Sequence, residues 1–377
     1  MGGKGIVFGK IWGITLKLNP SWFIIFVLIT WALAGSYFPG QYPAWNFTAK
    51  LSAGVITSLL FFTSVLVHEL MHSYVAQHEG TEVKSITLFI FGGVSEISGE
   101  PKNAGDEFSM AIAGPLTSLV LGGILMAVWA VLRHDAGGPG QFIAAVSYWL
   151  GLINLSLGAF NLIPGFPLDG GRVFRSILWG KSGDLREATR TASQVGKVIA
   201  YIFIFIGIFL FFSGNWLNGA WMVLIGWFLD NAASGSYRQV QLNDLLKGHK
   251  VSEAMQGDCV SVTPEVSAEY IINEYALTKG QQCFPVMDGE NLEGIVSFDS
   301  LRGVAKEARR DKTAAQIMMP LEQMKTVEPN DELGKVLSIM TEGDVSQVSV
   351  VQNGKMVGLV SRERLLSFID LLANPGR

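Results

Sequence analysis

The sequence predicts a polytopic α-helical membrane protein of about six transmembrane helices, with a small membrane-associated β element and a C-terminal α/β domain. Hydrophobic residues make up 49% of the 377 residues and charged residues 16%, and the mean hydropathy is +0.35. Soluble globular proteins are less apolar and more charged. All 10 tryptophans precede residue 228, and the charge density rises soon after that point. We therefore expect a membrane domain at residues 1–236, a linker at 237–247 and a soluble portion beyond it.

Apolar stretches of about 20 residues cross a hydrocarbon core of about 30 Å when they are helical. The last of the six candidates is the weakest, because it is short and depends on flanking aromatic residues. The predicted spans are residues 21–38, 51–75, 108–132, 142–162, 195–212 and 217–229.

Loop charges predict the orientation of these spans. Lys and Arg in short loops are retained in the cytoplasm, and six crossings place both termini on one side. We expect a multi-pass protein of the cell membrane with both termini cytoplasmic. Ala32-Leu33-Ala34 resembles a signal-peptidase site, but the long basic region before it favours a retained span. The basic residues assigned to cytoplasmic loops are Lys4, Lys10, Lys17, Lys84, Lys102, Arg172, Arg175, Lys181, Arg186, Arg190 and Lys197.

The second predicted span ends in an H-E-x-x-H motif, His68-Glu69-Leu70-Met71-His72. Residues four apart share one face of a helix, so His68 and His72 can bind one zinc ion, and Glu69 can take a proton from a water molecule. A charged side chain at the centre of a membrane helix costs about 2.5–3.5 kcal/mol on insertion scales. This cost favours a functional site. The motif fixes only three positions, however, so a chance match at a helix end that reaches water also explains it.

A catalytic zinc ion usually has three protein ligands and an open fourth position, and three residues compete as the third ligand. His78 has the metzincin spacing, but Val75 replaces the helix-breaking glycine, and six helical residues rotate His78 about 600° from His72. Glu96 has no second helix predicted around it. Asp169 follows a segment broken by proline and glycine, which membrane proteins tolerate where the backbone lines a cavity. An ordinary loop at a membrane exit has the same composition.

Two motifs together, HELMH at 68–72 and NLIPGFPLDGGR at 161–172, resemble the site-2 protease family of intramembrane zinc metalloproteases. The resemblance covers the whole membrane portion. It implies three zinc ligands, one catalytic acid/base and one side chain that holds the substrate carbonyl or its oxyanion. The implied zinc ligands are His68, His72 and Asp169. Glu69 would be the catalytic acid/base, and Asn161 would hold the substrate carbonyl or its oxyanion.

Ala113-Gly114-Pro115-Leu116, in the third span, is also similar to an element of that family. A packing glycine followed by a kinking proline explains this segment equally well.

Residues 83–97 predict the membrane-associated β element. They are rich in β-branched and aromatic residues, and Gly92-Gly93 permits a bulge or a close backbone approach. A helical substrate must unwind before cleavage, so we predict a strand or hairpin whose free edge pairs with the unwound substrate. A hairpin that only plugs the mouth of the site explains the composition equally well.

The soluble portion contains an internal repeat. VSEAM at 251–255 is echoed by AAQIM at 314–318, and GIVS at 294–297 is echoed by GLVS at 358–361. The repeat resembles a tandem pair of cystathionine β-synthase (CBS) domains, which we place at residues 248–307 and 308–377. The resemblance implies an α/β fold, assembly into a homodimer or higher oligomer, and binding of an adenine nucleotide.

Ser297 and Ser361, at equivalent positions of the repeat, are the candidate contacts to the phosphate or ribose of a nucleotide. Many nucleotide-binding CBS domains have an Asp three positions after this hydroxyl, where the present chain has Ser300 and Arg364. The chain therefore departs from the usual ribose-binding pattern, although Asp299 and Glu363 stand one residue earlier. A strand-end hydroxyl that only packs within the repeat explains both serines as well.

Two function classes remain. The first is a regulated intramembrane zinc protease, and the second is a CBS-regulated transporter or channel whose intramembrane His and carboxylate groups serve ion passage. The zinc motif and the Asn/Pro/Asp segment favour the protease. The resemblance implies a single-span, membrane-anchored substrate such as an anti-sigma factor, a pro-sigma factor or a signal-peptide remnant. The net charge of −4 and the lack of a basic, aromatic-interleaved patch argue against nucleic-acid binding.

Overall fold

The chain forms two compact units, Met1–Val240 and Gln241–Arg377. Each unit has its own buried apolar clusters, and each is described separately below. The computed structural model describes residues 5–90, 92–98, 101–134, 138–257, 259–278, 281, 283–289, 291–320, 324–343, 345–352 and 355–373.

Long helices dominate the first unit, and five of them are long and apolar enough to cross a membrane. The first of these five is composite, since a π-helical turn, Leu33–Tyr37, joins its two α-helical parts. The helices are α1 (Ser21–Ala32), α2 (Phe38–Gln41), α3 (Phe47–His78), α4 (Ala104–Leu132), α5 (Gly138–Asn161), α6 (Asp169–Ser182), α7 (Leu185–Phe212) and α8 (Trp216–Leu246).

The sixth predicted span, residues 217–229, is not among the five spanning helices found in the described part of the chain. It is the start of α8, which continues into polar sequence from Asp230 onwards. About 13 apolar residues reach only about 20 Å, less than the hydrocarbon core of about 30 Å. The described residues therefore contain five such helices rather than the predicted six. Residues 237–246, which the sequence predicted as part of a linker, are helical.

Side-chain caps set where three of these helices begin. The amide oxygens of Asn46 and Asn103 accept hydrogen bonds from Ala49 N (2.8 Å) and Asp106 N (2.9 Å) at the starts of α3 and α4. Asp184 does the same for the first turn of α7. Such caps satisfy backbone N–H groups that have no partner within the helix. They fix where α3 and α4, which carry most of the site, enter the unit.

A four-stranded sheet packs against α3, in the order β1 (Ile6–Ile11), β2 (Ile14–Leu18), β3 (Glu82–Phe89) and β4 (Gly92–Ser98). The predicted hairpin at residues 83–97 is confirmed, because β3 and β4 pair antiparallel from Glu82↔Ser98 to Phe89↔Gly92. Its bulge lies between Val83 and Ser85 rather than at the glycines. Because β4 ends the sheet order, its outer edge pairs with no other described strand.

The second unit contains two three-stranded sheets, one for each copy of the repeat. The first sheet has the order β5-β6-β7, and the second has the order β10-β9-β8. The strands are β5 (Cys283–Asp288), β6 (Asn291–Ser297), β7 (Met319–Pro320), β8 (Thr326–Val327), β9 (Gln347–Gln352) and β10 (Lys355–Ser361). The helices are α9 (Val251–Ala254), α10 (Ala268–Tyr270), α11 (Phe298–Arg302), α12 (Ala314–Ile317), α13 (Leu333–Glu342) and α14 (Arg362–Ala373), with a π-helical segment Ile271–Leu277 and a 3-10 turn Lys306–Ala308.

The two copies of the repeat contact each other through equivalent residues. Ile295 of β6 pairs with Met319, just after α12, and its counterpart Leu359 of β10 is bridged to Gln256, just after α9. Ile295 and Leu359 also pack together in one buried cluster. Residues that match in sequence therefore occupy matching places, as expected of a tandem structural repeat.

Candidate active site

The H-E-x-x-H motif lies in the last third of α3. His68 and His72 are one turn apart, both are buried, and their Nε2 atoms lie 3.2 Å from each other. Leu70, between them, packs on the opposite side with Ile14 and Ile86 of the sheet. The helix therefore presents both imidazole rings to the interior and uses the intervening residue to hold the sheet.

Helix α4 orients both imidazole rings. Nδ1 of His72 donates to the Met110 carbonyl oxygen at 2.7 Å, and Nδ1 of His68 lies 2.9 Å from the Ser118 hydroxyl. A carbonyl oxygen can only accept, so the proton of a neutral His72 ring sits on Nδ1 and the lone pair on Nε2. An outer hydrogen bond of this kind is what fixes the tautomer and orientation of a metal-binding histidine.

Asp169 is the first residue of α6 and reaches the same point. Its Oδ2 atom lies 3.2 Å from Nε2 of His68 and 3.2 Å from Nε2 of His72. The next two residues, Gly170 and Gly171, pack so closely on the loop before α6 that a Cβ at either position would overlap the backbone of Leu162 or Gly165. The glycines thus let the broken segment fold back and aim the carboxylate at the histidines.

The three groups fit a zinc ion. His68, His72 and Asp169 form the one His/Cys/Asp/Glu group with metal-binding proximity among the described residues, and the three inward atoms are each 3.2 Å apart. Tetrahedral zinc with bonds of about 2.0–2.1 Å needs ligand atoms about 3.3 Å from one another. Two nitrogen lone pairs and a carboxylate oxygen also repel one another at this distance unless a metal ion or a proton lies between them.

The two rival candidates lie elsewhere. His78, the last residue of α3, stacks on Tyr74 with 5.9 Å between ring centroids. Glu96 accepts a hydrogen bond from Ser85 at 2.6 Å and lies 3.7 Å from the Lys17 ammonium group. Neither belongs to the group formed by His68, His72 and Asp169.

Gly114 of α4 lies directly against the imidazole rings. A Cβ at this position would overlap Nε2 of His72 and lie 2.7 Å from Nε2 of His68. The sequence left this glycine open between a packing role and a direct role. The geometry shows that it keeps open the space between the rings.

Glu69 adjoins His68 in α3, and Asn161 lies close along the chain to the loop that carries Asp169. The Oε2 atom of Glu69 accepts a hydrogen bond from Ser95 of β4 at 2.9 Å. Asn161 is the last residue of α5, immediately before the Leu162 backbone on which Gly170 packs. The chain thus brings the end of α5 beside the start of α6, where Asp169 lies.

A buried ion pair ties α6 to α4 near the site. Nε of Arg175 donates to Glu107 Oε1 at 2.7 Å, and its Nη2 atom donates to the same oxygen. The Arg172 Nε atom lies 3.8 Å from that oxygen. Glu107 is fully buried, and Arg175 is 7% exposed. Arg175 was assigned above to a cytoplasmic loop, but it is buried and paired rather than a solvated loop charge.

The same guanidinium group also contacts the broken segment and α7. It lies 5.2 Å from the centre of the Phe166 ring, and Nη1 donates to the Thr189 hydroxyl at 3.4 Å. One side chain thus joins α4, α6, α7 and the loop that leads to Asp169. The sequence did not predict this role. The feature that could have indicated it is Glu107, an acidic residue beside an apolar stretch.

The CBS serines are mainly helix caps. The Ser297 hydroxyl oxygen accepts from Ser300 N at 3.0 Å, at the start of α11. The Ser361 oxygen accepts from Arg364 N at 3.2 Å, at the start of α14, and Ser361 is buried. Ser297 also lines a cavity within the second unit, together with Lys325, Gln347 and Ser349. The two equivalent serines therefore differ, since the lining of this cavity does not include Ser361.

Comparison with known families matches both portions of the chain. A family model described as peptidase family M50 matches residues 56–137 and 136–206. A model described as CBS domain matches residues 251–307 and 314–371. The first match includes the histidines and Asp169, and the second includes both copies of the repeat.

Individual relatives extend over nearly the whole chain. Rip3 of Mycobacterium tuberculosis, whose name describes a zinc metalloprotease, is 33% identical over 377 residues, covering 98% of this chain and 94% of Rip3. Zinc metalloprotease MJ0392 of Methanocaldococcus jannaschii is 30% identical over 363 residues, covering 96% of this chain and 95% of that protein. A solved structure named as a site-2 protease from Methanocaldococcus jannaschii has 32% identity and a TM-score of 0.43, covering 62% of this chain and 95% of that chain.

Proposed function

The chain belongs to peptidase family M50, the family of site-2 proteases, and we propose that it hydrolyses a peptide bond of a membrane-anchored protein within or beside the bilayer. The observation that carries the proposal is the buried group of His68, His72 and Asp169, with inward atoms 3.2 Å apart. This group lies among helices long and apolar enough to span a membrane. The relatives described above are zinc metalloproteases by name and give no support to a transporter or channel.

His68 and His72, through Nε2, and Asp169, through Oδ2, would hold one zinc ion. When bound, zinc supplies a Lewis acid that acidifies water and polarises a carbonyl group. Ser118 and the Met110 carbonyl oxygen keep both imidazole rings turned toward the site. The buried surroundings exclude bulk water, which strengthens every electrostatic interaction inside the site.

Glu69 is the proton carrier of the proposed reaction. Its Oε2 atom already accepts the Ser95 hydroxyl, and we assign to the other oxygen, Oε1, the uptake of the proton from the attacking water. The same atom then gives this proton to the departing amine nitrogen as the carbon–nitrogen bond breaks. Proton transfer by one positioned carboxylate therefore serves both halves of the reaction.

Asn161 is proposed to hold the substrate carbonyl. Its amide NH₂ group can donate to an oxyanion, which a donor held in place stabilises in the transition state. The supporting observation is its position at the end of α5, next to the backbone on which Gly170 packs.

The substrate is proposed to bind in an extended form along the outer edge of β4. That edge has unpaired backbone donors and acceptors among the described strands, and an unwound segment can add to it as a further strand. The family suggests single-span regulators as substrates: an anti-sigma factor, a pro-sigma factor or a signal-peptide remnant.

The chain is a multi-pass membrane protein, and we propose the cell membrane with both termini in the cytoplasm. The basic residues before α1 and, apart from the buried Arg175, those between α5 and α7 support this orientation. It requires a sixth crossing by α8, which must use helical residues beyond its apolar start at 217–229 to reach across the bilayer.

The C-terminal CBS pair is proposed to regulate the protease, to bind an adenine nucleotide and to mediate homodimer formation. The cavity that includes Ser297 is also lined by Lys325, whose ammonium group can bind a phosphate. Calorimetry on the full chain with ATP and AMP tests the nucleotide. No heat with either compound would remove this part of the proposal.

The catalytic proposal is tested by Glu69→Gln. The amide cannot carry the proton, so we expect loss of cleavage while one zinc ion per chain remains bound. Zinc content is measured by atomic absorption, and substrates are sought by comparing membrane proteomes of cells that express the parent chain or Glu69→Gln. Transmembrane fragments should accumulate in the variant.

Glu79→Gln is the matched control, because Glu79 is the C-cap residue of the same helix and lies outside the zinc group. It should leave both zinc content and cleavage unchanged. A Glu69→Gln protein that cleaves as fast as the parent chain would refute the mechanism, and metal-independent ion flux would point back to transport.

A further inference from the structure

A chain of hydroxyl groups runs from α3 to the catalytic carboxylate through the edge strand of the sheet. The Ser73 hydroxyl donates to the Ser95 oxygen at 3.3 Å, and the Ser95 hydroxyl donates to Glu69 Oε2 at 2.9 Å. Glu69 and Ser73 are four residues apart and share one face of α3. Ser95 therefore bridges two side chains of the helix that carries the metal-binding histidines.

Strand β4 is shaped to reach Glu69 with two alternate residues. Side chains two apart in a strand lie on the same face, so Gly93 and Ser95 both face α3. A Cβ at Gly93 would overlap Cγ of Glu69 and lie 3.0 Å from its carboxyl carbon. Val94, on the opposite face, is 54% exposed. The glycine thus lets the strand approach the carboxylate, and the serine two positions later binds it.

We propose that Ser95 is a positioning residue for Glu69, whose carboxylate it holds in place on the helix that carries the zinc-binding histidines. This inference rests on the proposed function, since it assigns Glu69 the proton transfer. Hydrogen bonds to a carboxylate are stronger than neutral ones, and the Ser73 hydroxyl occupies the Ser95 oxygen so that the Ser95 proton is directed to Glu69. The free edge of β4, the proposed substrate site, thereby lies on the same strand as the group that orients the proton carrier.

A merely structural role would make Ser95 a spacer that docks β4 on α3. The two roles differ in what they predict. A spacer affects stability and zinc content, whereas a positioning residue affects turnover by a folded, zinc-loaded chain. Hydrogen-bond partners of zinc-binding side chains typically contribute about 10–100-fold to activity or metal affinity, and we take the same range for the partner of Glu69.

The kinetic test uses zinc-loaded full chains in detergent with fluorescently labelled, denatured casein as substrate. We expect Ser95→Ala to lower kcat by about 10–100-fold, with KM and zinc content close to those of the parent chain. Ser95→Thr keeps the hydroxyl and should recover most of the lost kcat. Ser73→Ala should lower kcat in the same direction by a smaller factor, because Ser95 keeps its own hydroxyl.

Ser85→Ala is the matched control. Ser85 makes the same type of bond, from a serine hydroxyl to a glutamate oxygen, with Glu96 at 2.6 Å, but that pair lies outside the zinc group. Parent-like kcat in Ser95→Ala, or loss of zinc and thermal stability equal to a loss of kcat, would overturn the positioning role. Equal cleavage by Glu69→Gln and the parent chain would instead overturn the proposed function.

Infrared difference spectroscopy gives a readout that needs no substrate. Subtracting the Glu69→Gln spectrum from that of the same background isolates the Glu69 carboxylate band. When both chains, with Glu69 and with Glu69→Gln, also carry Ser95→Ala, the frequency of this band should differ from that in the parent background. When both carry Ser85→Ala instead, the frequency should be that of the parent background. An unshifted Glu69 band in Ser95→Ala would refute the hydrogen bond even if casein is not cleaved.

Discussion

The Nε2 atoms of His68 and His72 face each other. By contrast, the hydroxyl oxygens of Ser297 and Ser361 accept hydrogen bonds from the backbone of the helices that follow them. Both pairs stand out in the sequence by regular spacing or repetition. In the membrane unit, α4 satisfies only the outer Nδ1 atoms. In the CBS unit, the local backbone uses the atoms that a ligand would need.

The difference shows what separates a binding site from a structural motif. A polar atom that is already hydrogen-bonded to the local backbone stabilises the fold. It has less hydrogen-bonding capacity left for a ligand. Among the described residues, the hydrogen-bond partners of the three inward atoms of His68, His72 and Asp169 are one another, at 3.2 Å, an arrangement that a cation stabilises. Ser297 is intermediate, because it caps α11 and also lines a cavity.

The strongest test of the comparison is Gly114→Ala. A methyl group there would occupy the space between the two Nε2 atoms, so we expect zinc binding and cleavage to be abolished. Alanine favours a helix over glycine by about 0.8–1.0 kcal/mol, so this loss cannot come from weaker helix formation. Zinc content and thermal unfolding are measured together.

Gly123→Ala, on the same helix, is the control. A Cβ there meets nothing within 4 Å, so zinc binding should be unchanged and stability equal or slightly higher. Full zinc content in Gly114→Ala would contradict the position assigned to the metal.

A weaker but still large effect is expected from Glu107→Gln. Removing one partner of a buried ion pair costs about 3–5 kcal/mol, because the other charge is left uncompensated. The variant should unfold at a clearly lower temperature in detergent and bind zinc less tightly, because Arg175 no longer ties α6 to α4. Differential scanning calorimetry and zinc titration measure the two effects.

Glu96→Gln is the comparison for that variant, because the Lys17–Glu96 pair is partly exposed, at 32% and 45%. Solvent screening leaves such pairs worth about 1 kcal/mol or less. Equal loss of stability in Glu107→Gln and Glu96→Gln would show that the buried pair does not hold α6.

The smallest effect is expected from Ser361→Ala. Losing a helix cap costs about 1 kcal/mol, so the second unit should unfold at a slightly lower temperature, with any heat of nucleotide binding unchanged. Calorimetry measures both quantities. Loss of nucleotide binding without loss of stability would make Ser361 a ligand contact and erase the difference between the two motifs.

Local patterns predicted a large part of the site. The i, i+4 spacing places His68 and His72 on one face because helix geometry is periodic, and helix rotation removed His78. The broken segment before Asp169 gave the third ligand through its resemblance to a family. The predicted hairpin at residues 83–97 was confirmed for the same reason, since β-branched residues and glycines act over short range.

The residues that sequence reasoning missed act across long separations. Met110 and Ser118 lie 38 and 50 residues from the histidines that they orient, and Glu107 lies 68 residues from Arg175. No local period signals such pairs. Arg175 was even counted among the loop charges, because a sequence shows the charge but not its burial.

The sequence by itself determined the membrane class, the zinc motif, the repeat and the family, because hydropathy, helical period and motif spacing are local properties of the chain. Only the tertiary structure decided which atoms of those residues remain available. Packing of α4, α6 and β4 on α3 directs three ligand atoms to one point, gives Glu69 its Ser95 partner and leaves room at Gly114. In the CBS unit both serines cap the helices that follow them, and only the packing of residues distant in sequence decided that Ser297 also lines a cavity.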